Sequence, residues 1–191
     1  MAIRKIARLG HPVLRQPATF IPLEYIQSAE IQQIIQDMKD TVDDADGAGL
    51  AAPQIFESKQ IVLLDIKDGN GMQVWVNPTL TALSEEMIIG FEGCLSVPNM
   101  KGAVARFQKI SVDAWNEKGE EIHFELEGHP AVVAQHEFDH LQGTVYVDRV
   151  EPYTLCFREE FNKHSDVLWQ YIESSLEEIP EESVDNTDDG E

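Results

Sequence analysis

The segment from Gly128 to Gly143 limits what this chain can fold into more than any other, because it reads as a short helix that sets His136, His140 and two carboxylates among apolar residues. Gly128-His129-Pro130 supplies a loop and a proline suited to a helix's first turn, and Gly143 can take the left-handed position after the last turn. A helix is therefore predicted over about residues 130–142. Ala131, Val132, Val133, Ala134 and Phe138 surround its axis with apolar groups, which marks a helix buried among other elements. Imidazoles in such surroundings need partners. At roughly 100° per residue His136 and His140 share one face a turn apart, with Glu137 beside them. That spacing lets two imidazoles hold a divalent metal while a carboxylate serves as general base.

Two histidines on a catalytic metal take a third protein ligand and leave one position for water. A third histidine six residues past the second is ruled out, because Tyr146 stands there. Glu159 or Glu160, on a following helix, lies at a suitable separation and would make the chain a zinc peptidase. Cys94, set among turn formers in Phe91-Glu92-Gly93-Cys94-Leu95-Ser96-Val97-Pro98, is the other candidate. A thiolate beside two imidazoles selects zinc or ferrous iron over magnesium or calcium. The second cysteine, Cys156, reads as the apolar side of a helix. A disulfide between the two is the competing use, disfavoured by the absence of a secretory leader and by a length that can bury a core unaided. A serine-hydrolase grouping of Ser96, His136 and Asp139 is disfavoured because no nucleophile elbow surrounds Ser96.

The rest of the chain predicts one α+β domain: mixed or antiparallel sheets packed around a central metal-binding helix, with an N-terminal and a C-terminal helix. Ile31, Ile34, Ile35, Met38 and Val42 recur at helical spacing within a helix predicted over Tyr25 to Asp46. Ile61–Ile66 and Met72–Val76 flank Asp68-Gly69-Asn70-Gly71, a hairpin signal, and Ile110–Trp115 and Glu121–Leu126 alternate around Asn116-Glu117-Lys118-Gly119, a second one. In these strands and loops His123 is expected to face solvent and His11 to sit in an entry loop, while His164 falls in a charged helix. Glu92 and Arg106 are candidates for a buried pair that positions the Cys94 loop, and Asp139 for a carboxylate supporting the site.

Three segments, Gly47-Ala48-Gly49-Leu50-Ala51-Ala52-Pro53-Gln54, Glu92-Gly93-Cys94-Leu95-Ser96 and Gln135-His136-Glu137-Phe138-Asp139-His140-Leu141, resemble in order and approximate spacing the signature motifs of peptide deformylase. Leu9-Gly10-His11-Pro12-Val13-Leu14-Arg15 is similar to that family's N-terminal stretch, so the resemblance runs over about residues 3–160. It implies a hydrolase that removes the N-formyl group of a nascent chain's first methionine and releases formate. It implies Cys94, His136 and His140 as metal ligands, Glu137 as general acid and base, and Gln54 with the backbone N–H of Leu95 as donors to the developing oxyanion. It also puts Gly49, Glu92, Gly93, His129, Val132 and Val133 along the substrate pocket. Ferrous iron is the implied physiological metal, with zinc, nickel or cobalt able to use the same ligands. His129 departs from the bulky apolar residue the family tends to carry near its methionine pocket. A noncatalytic relative that binds acylated peptides would share the fold, but every expected catalytic position is filled.

Charge narrows the partners. With 14 Lys and Arg against 35 Asp and Glu, the net charge is −21, and no basic stripe offers direct binding to nucleic acid or to an anionic membrane. No apolar stretch approaches bilayer length, and a cytoplasmic enzyme is expected. All the Lys and Arg precede residue 164, while ten Asp or Glu follow it. The expected organisation is a catalytic domain over residues 1–172 and an acidic tail over 173–191. The family's extension is often basic and helps it dock on the ribosome, so the acidic end argues against that contact here.

Overall fold

The computed structural model describes residues 2–66, 69 and 71–177. Helix α1 (Leu23–Ile26) and helix α2 (Ala29–Asp44) replace the single helix expected over Tyr25 to Asp46. The break falls at Ser28, whose backbone is extended and whose Oγ accepts from the N–H of Ile31. A serine in that state starts a helix rather than continuing one. The apolar face of α2 buries Ile31, Ile34, Ile35, Met38 and Val42 against Leu50, Ile55, Ile61, Leu63 and Val76. Each such side chain contributes about 1.5–3 kcal/mol on leaving water.

Eight strands follow among the described residues: β1 (Gly49–Ala51), β2 (Ile61–Asp65), β3 (Met72–Ala82), β4 (Met87–Cys94), β5 (Val97–Phe107), β6 (Lys109–Trp115), β7 (Glu121–Glu127) and β8 (Cys156–Phe157). They form a five-stranded sheet in the order β1-β2-β3-β6-β7 and a three-stranded sheet in the order β4-β5-β8. The pairings between these named strands are all antiparallel, so the two sheets are of the antiparallel rather than the mixed kind. The turn between β6 and β7 is the expected one, with Asn116 Oδ1 accepting from the N–H groups of Lys118 and Glu120. The turn expected at 68–71 lies largely outside the described residues.

Helix α3 (His129–Leu141) starts and stops within a residue of its expected limits. It packs on β1, β2, β3 and β7 of the five-stranded sheet and reaches β5 of the three-stranded one. Ala131, Ala134 and Leu141 are buried with Val62, Leu64, Trp75, Ile110 and Val112, and the small alanines let the helix lie close to the sheet. Gly143 ends the helix at φ +74, where a Cβ would stand 2.8 Å from the backbone nitrogen of Gln16. Helix α4 (Arg158–Glu177) is interrupted by non-helical dihedrals at His164. It runs on past the 172/173 boundary expected from composition. The rest of the acidic tail lies outside the described residues.

Candidate metal centre and active site

Among the described residues, Cys94, His136 and His140 form a group whose ligand atoms all lie within 4.8 Å of one another. Helix α3 supplies the two imidazoles, 5.3 Å apart between ring centroids, and the end of β4 supplies the sulfur. Cys94 Sγ is 3.2 Å from His140 Nε2. Both cysteines are free, so the disulfide reading fails. Glu159 and Glu160 do not join the group; Glu160 pairs with Lys163 on the surface of α4. The structure therefore brings in the cysteine and not the carboxylates.

A second layer of charge holds these ligands. Glu92 Oε2 lies 2.7 Å from His136 Nδ1, which leaves Nε2 as that ring's free nitrogen. Arg106 donates to both oxygens of Glu92 at 2.8 and 3.0 Å and to Asp139 Oδ2 at 2.6 Å. Arg149 in turn donates to both oxygens of Asp139. Burial works against the charge on Glu92, yet the bonds from Arg106 and His136 outweigh it and hold its pKa at about 2. Burial likewise opposes charge on His136, but Cys94 and Glu92 together push its pKa well above the usual range. His140 is pushed the other way, by burial first and then by His136 and Arg106. One sulfur thus already attracts a positive charge to the centre of the group. A soft or borderline divalent ion fits that donor set, satisfying sulfur and imidazoles together.

Glu137 points into the same space. It is buried, its Oε2 has no hydrogen-bond partner, and burial is the main cause of a pKa raised to about 7. A Cβ on Gly49 would stand 2.5 Å from Glu137 Oε1, so glycine is required there for β1 to pass the carboxylate. Gln54 follows β1 in a 3-10 turn. Its Oε1 accepts from the N–H of Ala51 at 2.8 Å, and its Nε2 lies 3.5 Å from Cys94 Sγ and 3.2 Å from Ser96 Oγ. Ser96 is thereby engaged with Gln54, and Asp139 with two arginines, so no serine-histidine-aspartate relay is assembled.

Cys94, His136, Glu137 and Gln54 line a cavity of about 570 Å3. Its wall includes Gly49, Gln54, Glu92, Gly93, Cys94, Leu95, His129, Val132, Val133, His136 and Glu137, which is every residue expected at the site except His140, buried behind the sulfur. Both oxygens of Glu92 are committed to Arg106 and His136.

The family model for polypeptide deformylases matches residues 3–155. The chain belongs to that family. A peptide deformylase of Leptospira biflexa serovar Patoc is 42% identical over 161 residues, covering 79% of this chain and 89% of the relative. The crystal structure of the Thermotoga maritima peptide deformylase superposes with a TM-score of 0.73 at 36% identity, covering 80% of this chain and 100% of that one. A Met-Ala-Ser-bound class I type b peptide deformylase from Acinetobacter baumannii gives 0.72 at 31% identity, covering 78% and 99%. The chain is a metal-dependent hydrolase that removes the N-formyl group from peptides. Among its described residues no helix is long and apolar enough to cross a membrane.

The cavity also includes residues that sequence reasoning did not reach: Ile88, Ile89 and Phe91 of β4, Lys101 of β5, and Arg158 and Asn162 of α4. Sequence reasoning did not set out β4 as a strand, and nothing local to Arg158 announces that α4 begins at the cavity.

Proposed function

We propose that this chain deformylates formyl-methionyl N termini of nascent peptides with one ferrous ion held by Cys94, His136 and His140; zinc, nickel or cobalt would fit the same ligands. The observation that carries this reading is the meeting of that donor group, two of whose members line the cavity, with a buried cavity-lining carboxylate that has a free oxygen. When bound, the ion would supply Lewis-acid polarisation to water and to the formyl carbonyl.

The chain's own groups account for the rest. Strands β1 and β4 are each the outer strand of a sheet and both line the cavity, which suits an extended peptide lying between them. His129, Val132 and Val133, on the first turn of α3, would receive the methionine side chain. Gln54 Nε2 and the N–H of Leu95 would donate to the carbonyl oxygen as charge develops on it, with Gln54 held in place by Ala51. Glu137 would accept the proton of the attacking water and pass it to the departing amine, a role suited to a pKa of about 7. Glu92, Arg106 and Asp139 would act as positioning residues, fixing His136 from behind.

Residues 1–172 would form the catalytic unit and 173–191 an acidic tail, whose charge disfavours a ribosomal contact through RNA. A nascent-chain substrate favours the cytoplasm as the place of this activity. Formate release from formyl-Met-Ala-Ser, with metal content measured on protein purified without air, tests the whole reading. Turnover with about one iron per chain is expected. Exposure to oxygen should then inactivate the iron form through the metal or the thiolate, and zinc substitution should remove the metal's share of that loss. A protein that contains only zinc and keeps full activity after long aeration rules out iron.

Gly49→Ala gives a separate check on Glu137. The added methyl displaces the carboxylate while leaving the backbone unstrained, so kcat should fall by about 10²-fold with the fold intact. Unchanged turnover would mean that the position of Glu137 does not matter.

A further inference from the structure

The outer part of the cavity carries charge that deformylation itself does not use. Lys101 and Arg158 both line it, and among the described residues neither is paired with a carboxylate. The cavity's two carboxylates do not offset them: Glu92 is committed to Arg106 and His136, and Glu137 is buried at the floor. Local structure holds both cations in place. The stem of Lys101 lies beside Gly93, and its ammonium sits 4.8 Å over the ring of Phe161. Phe161 and Trp169 of α4 pack on Phe91, a residue of the cavity wall, at 4.6 and 5.1 Å. Strand β8 pairs Met100 with Phe157 and Lys101 with Cys156, which fixes the start of α4, and so Arg158, beside β5. Asn162 follows one turn later on the same helix face and also lines the cavity.

We propose that Lys101 and Arg158 form a cationic subsite that favours formyl peptides with acidic side chains downstream of the methionine; this rests on the deformylase reading above. The net charge of −21 pulls the other way, repelling an acidic peptide as it approaches. Charges farther than about 8 Å are largely screened at physiological salt, whereas a docked side chain meets the two cations directly. Once the peptide is bound, the local pair wins.

The test compares three C-terminally amidated peptides, formyl-Met-Ala-Ser-Ser, formyl-Met-Ala-Asp-Glu and formyl-Met-Ala-Lys-Lys, on the metal-loaded enzyme. At about 0.15 M salt, where the distant net charge is screened, the acidic peptide should have a kcat/KM about 3- to 10-fold above the basic one, the scale of one or two exposed ion pairs, with the difference in KM. Raising salt to about 1 M should shrink the ratio. Arg158→Glu, at an exposed position, should bring the ratio to one or invert it. A ratio near one in the unmodified enzyme, or a preference that survives Arg158→Glu, overturns the subsite alone. Failure to hydrolyse even the neutral peptide refutes the deformylase reading and the subsite with it.

Discussion

Cys94→Ser is expected to remove the bound metal and the hydrolysis together. A hydroxyl is a far poorer ligand for iron or zinc than a thiolate, and His136 and His140 alone leave the ion two-coordinate from the protein. Metal content should drop from about one per chain to a small fraction, and formate release by about 10³-fold or more, the scale of losing Lewis-acid assistance. The fold should survive. Serine is close to cysteine in size, Gln54 still reaches Ser96 at 3.2 Å, and Arg106 still holds Glu92 against His136. Glu159→Ala and Glu160→Ala should keep both metal and activity, since neither belongs to the ligand group. Full metal occupancy in Cys94→Ser would sink the assignment of the sulfur.

The parts of the molecule readable from sequence are those set by local chemistry. Helix α3 was legible because proline, apolar residues and glycine occur at the places where a buried helix starts, continues and stops, and the β6–β7 turn because Asn116 can bond its own downstream backbone. Strands β4 and β5 were not, because Gly90, Gly93, Pro98 and Gly102 interrupt the alternation that marks a strand. Gly102 answers to a distant neighbour instead: a Cβ there would stand 2.6 Å from Val150 Cγ2, across a loop that no local pattern predicts. At the site the same division holds. The ligands and Glu137 announce themselves by spacing on one helix. Arg106 could be read equally as surface or core, and only the fold shows it bridging Glu92 and Asp139, with Arg149 completing the pair from a separate turn. Arg158 reaches the cavity solely because β8 fastens the start of α4 to β5.

Glu137→Gln should leave metal content and folding unchanged while slowing formate release by about 10²-fold or more, the usual contribution of a general base. The side chain is not among the ligands, and the amide has nearly the same shape, so the passage beside Gly49 stays filled. The pH dependence separates this role from a packing role. Burial raises the pKa of Glu137 to about 7, with His136 opposing and Glu92 adding to the rise. The carboxylate is the form that accepts a proton, so the rate on the native side chain should climb as pH rises toward 7 and then level. Positive charge in the adjacent donor group favours the carboxylate and moves that limb to lower pH. Glutamine has no proton to lose in this range, so the limb should vanish in the variant while the residual rate stays flat. Near-normal turnover, or the same limb in both proteins, would show that another group takes the proton.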